Sequence, residues 1–134
     1  MAAVVTTLTK TARTVFASAA NTASSTSRGR LDLQTAQGGF LTIKMTNGAT
    51  GPTVQCVANV LIAHNATMPA AASAGTDWKT IYSVGNGSGN NTIGEWAIPI
   101  DPAIMCIEVE FTGNTAQTVT VEAYFSELTN ASTV

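Results

Sequence analysis

"AIMCIEVEFTGNTAQTVTVEAYFSE", residues 103–127, alternates apolar and polar side chains on both sides of one turn. Met105, Ile107, Val109 and Phe111 fall on one face, with Cys106, Glu108 and Glu110 on the other. After TGNTAQ the alternation resumes, setting Val119, Val121, Ala123 and Phe125 against Thr118, Thr120, Glu122 and Tyr124. A period of two residues is that of a β-strand with one face buried. The Gly and Asn between the two runs tolerate the positive φ that a turn requires.

The same period continues upstream. RLDLQT, from Arg30, sends Leu31 and Leu33 one way and Asp32 and Gln34 the other, and FLTIKMT sets Leu41, Ile43 and Met45 against Thr42, Lys44 and Thr46. TVQCVANVLIAH is apolar on both sides, Val54, Cys56, Ala58, Val60 and Ile62 on one and Val57 and Leu61 on the other. Such a strand is central in a sheet or lies under a partner. WKTIYSV and TIGEWAIPI flank the glycine-rich loop that begins at Gly85, while NATMPAAASAGTD lacks a period and reads as a loop. With a strand around Thr14 to Ala19, about eight strands follow one another at sandwich spacing and no helix separates them. The expected fold is all-β: an antiparallel two-sheet sandwich of jelly-roll type, with an immunoglobulin-like sandwich as the alternative.

Only 10% of the 134 residues are charged and 45% are hydrophobic, so the surface must be wetted by hydroxyls and amides. The charge is uneven. Lys10, Arg13, Arg28 and Arg30 precede the first acid, Asp32, and only Lys44 and Lys79 accompany the acids that follow. Residues 1–28, acid-free and rich in Ala, Ser and Thr, are expected to form an extended N-terminal arm outside a body of 29–128, with 129–134 as a tail. The clusters VVTT and TVF suit an arm that adds as a strand to a neighbour's sheet, with Lys10, Arg13, Val15, Phe16 and Arg28 touching that partner. The second apolar face of TVQCVANVLIAH, at Val57 and Leu61, is expected to be an oligomer interface, most simply that of a homotrimer.

Catalytic and cofactor chemistry finds little support. The loop "SVGNGSGNNTIGEW" has the glycines of a phosphate cradle, but it contains no cation and leads into a strand instead of a helix N-terminus, so it reads as a flexible turn. His64 is the single histidine, which leaves a transition metal one imidazole and two cysteines. Cys56 and Cys106 lie on unlike faces and are expected as free thiols. No metal or cofactor is expected. Nor is binding to nucleic acid, for want of a cationic surface, or a membrane span, for want of a long apolar stretch. Glu108, Glu110 and Glu122 make a candidate acidic strip. Joined with Trp78 and Trp96, it is the one arrangement that suits a sugar-binding module or minor glycosidase.

Residues 96–128, "WAIPIDPAIMCIEVEFTGNTAQTVTVEAYFSEL", resemble the C-terminal strands of the small jelly-roll cement, or decoration, proteins of tailed bacteriophage capsids. The likeness lies in the turn FTGNTAQTVTVEAY between two amphipathic strands, and in the layout of basic arm and compact β body. It implies a non-enzymatic virion protein that trimerises, binds the major capsid protein on the capsid exterior and is assembled in the host cytoplasm. A tail or neck component would carry the same marks.

Overall fold

The computed structural model describes residues 6–71 and 76–133. Its elements are eight strands: β1 (Thr6–Asn21), β2 (Ser27–Asp32), β3 (Gly39–Asn47), β4 (Val57–Ala63), β5 (Lys79–Gly85), β6 (Ile93–Ile100), β7 (Cys106–Thr112) and β8 (Val119–Thr133). They form two four-stranded sheets, ordered β1-β8-β3-β6 and β2-β7-β4-β5. Every pairing is antiparallel. The chain crosses between sheets at every connection except β4 to β5, which is the eight-stranded jelly roll.

The period-two pattern sets the core. Leu41, Ile43 and Met45 on β3 and Val119, Val121, Ala123 and Phe125 on β8 face Leu31, Ala58, Val60, Ile107, Val109 and Phe111 of the other sheet. Burying a large apolar side chain contributes about 1.5–3 kcal/mol, so this layer is the main source of stability. A second, smaller cluster lies on the outside of the β2-β7-β4-β5 sheet. Here Leu61, Ala63, Trp78 and Cys106 are buried together against Met68 and Met105. Residues 68–70 of the β4–β5 connection help to make it, with the Trp78 indole N–H donating to the Ala70 carbonyl at 3.0 Å and Arg30 donating to the Pro69 carbonyl.

Four connections meet at one end of the sandwich, and four buried asparagines tie them. Asn114 donates to the carbonyls of Asn21 and Gln117 and accepts from the Asn21 amide. Asn47 donates to the Gly87 and Gly89 carbonyls, and Asn86 donates to the Asn47 amide oxygen and the Thr92 carbonyl. Buried amides stabilise only when their hydrogen bonds are made, and these side chains supply the partners that loop backbone lacks. The glycine loop is therefore held by Asn47, with Gln55 accepting from the Gly87 N–H. It is an anchored turn where the sequence suggested a flexible one.

Two expectations change. The segment read as an arm is extended, but Thr6–Asn21 is the edge strand of its own chain's sheet, paired with β8 along its length. The proposed boundary at residue 29 falls inside β2. The turn TGNTAQ does not join neighbouring strands either: β7 and β8 lie in opposite sheets, and residues 113–118 carry the chain across the sandwich.

Candidate functional site

Pairing of β1 with β8 decides where the arm's residues go. Val15 is buried in the core, and Phe16 packs on Phe111 with ring centroids 5.8 Å apart. Arg13 pairs with Glu127 at 3.1 Å and donates to the Asp32 carbonyl. Arg28 pairs with Glu110 and, at 3.7 Å, with Glu108. Of the expected partner-binding set, Val15, Phe16, Arg13 and Arg28 thus hold the domain together, and Lys10 is the exposed member.

The interface expected at Val57 and Leu61 is corrected in the same way. Leu61 is 2% exposed within the Trp78 cluster, and Val57 is half-buried. At Leu61 the second apolar face of β4 is covered by the chain's own β4–β5 connection, so this residue no longer argues for a trimer. The acidic strip is also divided. Glu108 is fully buried and Glu110 half-buried outside one sheet, whereas Glu122 stands outside the other. Arg28, Glu110, Asn59 and Ser83 instead form a row across all four strands of the β2-β7-β4-β5 sheet, joined by the Arg28–Glu110 ion pair and by hydrogen bonds from Asn59 to Glu110 and from Ser83 to Asn59. Trp78 is fully buried and Trp96 is partly buried against the core, so the two indoles flanking the glycine loop do not stand together as an exposed pair.

What remains open is the outer face of the β1-β8-β3-β6 sheet. A shallow groove of about 390 Å³ runs over it, lined by Thr42, Lys44, Glu95, Ala97, Glu122 and Tyr124. Lys44 lies between Glu122 on β8 and Glu95 on β6, with Nζ 3.7 Å from Glu95 Oε1. The Tyr124 hydroxyl donates to Glu122 Oε2 at 3.1 Å. These groups follow from the outward positions of the alternating strands, of which Glu122, with Tyr124 on its face, was the part legible in the sequence. Glu95 sits in a run whose pattern draws attention to Trp96, and Lys44 is one polar position among others in the alternation of its strand. At the opposite end from the asparagines, a second cavity of about 410 Å³ is lined mainly by Ile62, Ile81, Ile104 and Met105, with His64, Lys79 and Asp101 beside it.

Among the described residues no three His, Cys, Asp or Glu side chains are placed to hold a metal ion, and no helix is long and apolar enough to cross a membrane. Cys56 and Cys106 are both buried free thiols, as the sequence reading expected. Burial pushes the Cys56 thiol up to about 11, and burial together with nearby Asp32 raises that of Cys106. Because the thiolate is the nucleophile, both thiols of the native protein are expected to resist alkylation at neutral pH, and two equivalents should react after denaturation without prior reduction. Rapid labelling of the folded protein would show that one of them opens to solvent.

No family model matches the sequence, and no curated protein matches it either. The fold does have counterparts among solved structures. The enzymatically active domain of tailspike protein 4 of bacteriophage CBA120 superposes with a TM-score of 0.51 at 10% identity, over 94% of this chain and 19% of that one. This chain therefore spans about a fifth of the tailspike chain it matches. The carbohydrate-binding module TmCBM61, solved with β-1,4-galactotriose, matches at a TM-score of 0.43 and 11% identity over 90% of this chain and 86% of that one. At 10% identity the likeness to the tailspike domain is one of fold.

Proposed function

We propose that this chain is a non-enzymatic structural component of a phage virion that binds the major capsid protein on the outside of the shell. The observation that carries the reading is the ribbon made by the ends of β1 and β8. β3 pairs with β8 only as far as Glu127, whereas β1 and β8 stay paired out to Thr6 and Thr133. Leu8 and Lys10 are exposed on this ribbon. The outer edge of β1 has no strand partner among the described residues, and an open edge is a template for strand addition by another chain. The edge strand β6 carries Pro99, which blocks such pairing, and β1 has no proline. Recurrence of the fold within a phage tailspike chain and the resemblance of residues 96–128 to cement proteins support the same reading.

The protein is expected to co-sediment with expanded shells of the phage that encodes it. Leu8→Asp combined with Lys10→Glu in the full chain should weaken that association by about tenfold or more, since interface anchors commonly contribute over about 1 kcal/mol. Both residues are exposed, so the thermal midpoint should move little. Wild-type protein that stays in the supernatant would sink the reading. Variants that sediment normally would move the contact away from the ribbon.

A further inference from the structure

The outer face of the β1-β8-β3-β6 sheet carries a binding chemistry that a ribbon contact leaves unused. Phe40 and Tyr124 stand on this face 55% and 40% exposed. Phe40 is in register with Ser126 and Thr42 with Tyr124, so the two residues hold diagonal positions on neighbouring strands, whose Cα atoms are typically about 7–8 Å apart. Next to them along the strands, Glu122, Lys44 and Glu95 form a row across β8, β3 and β6. The row is organised by the Lys44–Glu95 pair and by the Tyr124 hydroxyl on Glu122. The short side chains of Thr42, Ala97 and Ser126 leave rings and charges accessible from one side.

We propose that this face is a platform for a neutral polysaccharide chain. Exposed flat rings offer stacking surface to the apolar C–H faces of sugar rings. The row reads negative, positive, negative. That order complements vicinal hydroxyls, which donate to carboxylates and accept from an ammonium group. It is mismatched to a polyanion, which would meet two carboxylates for each ammonium. A protein partner would have to desolvate all three charges at the centre of its contact, where interfaces are depleted in Lys and Glu. A glycan leaves them hydrated at their outer edges. These residues are distinct from Trp78, Trp96, Glu108 and Glu110, and the platform does not depend on attachment to a shell.

The test is calorimetric titration of the full chain with cellohexaose, mannohexaose, maltohexaose and galactan oligosaccharides, set against hexagalacturonate and hyaluronan. At least one neutral oligosaccharide should bind, and the acidic ones should not. Tyr124→Ala and Phe40→Ala should each weaken binding roughly tenfold, which corresponds to one stacked ring, while Tyr124→Phe keeps most of it. If an alanine variant unfolds, Lys44→Met, which removes only the ammonium group, should show a comparable loss. The proposal is overturned if no neutral oligosaccharide binds, if acidic ones bind as well, or if the ring variants bind like wild type. It is equally overturned if light scattering shows self-association that Tyr124→Glu abolishes, because a second copy would then cover the face.

Discussion

Deleting residues 1–28 is expected to abolish folding of the remaining chain. The deletion strips β1 from β8 along its whole length and leaves the inward side of Val121, Ala123 and Phe125 beside an empty position. It removes buried Val15 and the Phe16–Phe111 contact, apolar burial worth up to about 1.5–3 kcal/mol for each side chain if fully buried. Glu127, 6% exposed, loses Arg13, and Asn114 loses both its bonds to Asn21. A buried polar group stripped of its partner costs about 1–3 kcal/mol, and a buried carboxylate more. Arg13 is about a third exposed, so solvent offsets part of the ion-pair loss. These losses are together of the order of a domain's whole stability, about 5–15 kcal/mol. Far-UV circular dichroism and a thermal melt of the truncated protein decide the matter. A cooperative transition within a few degrees of the full chain's would show that β1 is an accessory arm after all.

The contrast with the sequence reading shows what a period of two encodes. It says which side of a strand is buried, and Leu41, Ile43, Met45, Val119, Val121 and Phe125 all point inward as expected. It does not say which sheet a strand joins. The run from Met105 to Phe125 carries the same signal whether its turn closes a hairpin or crosses the sandwich, so Glu108 and Glu122 were placed side by side although they lie outside opposite sheets. The VVTT and TVF clusters marked a strand, but nothing local distinguished a neighbour's sheet from the chain's own. The groove at Thr42, Lys44 and Tyr124 was equally hidden, since it joins residues far apart in sequence through pairings that alternation leaves open. One signal, legible in the sequence as a mark of turns, carries more than that. Asn47-Gly48, Asn86-Gly87 and Gly113-Asn114 recur at strand ends, and these asparagines are the buried ties of the loop end.

Leu61→Asp should unfold the protein or lower its thermal midpoint by about 10 °C or more, while Val57→Asp should shift it by only a few degrees. The two residues lie on the same outward side of β4, yet their surroundings differ. Leu61 is packed with Trp78, Ala63 and Cys106 beneath the β4–β5 connection, where a carboxylate would be shut from water and set beside the buried Glu108 of β7. Val57 stands at the end of the strand, in register with Gly85 and Thr112, and is half-buried, so an aspartate there can reach solvent. Trp78→Ala tests the same cluster from the other side. Removing a fully buried indole typically costs about 3–5 kcal/mol, and here it also frees the Ala70 carbonyl from its hydrogen bond. Thermal melts paired with light scattering separate this account from an oligomer interface. If Leu61→Asp melted like wild type and a wild-type oligomer became a monomer, the outer face of β4 would be an intersubunit surface, and the connection that covers it here would have to move aside in the assembly.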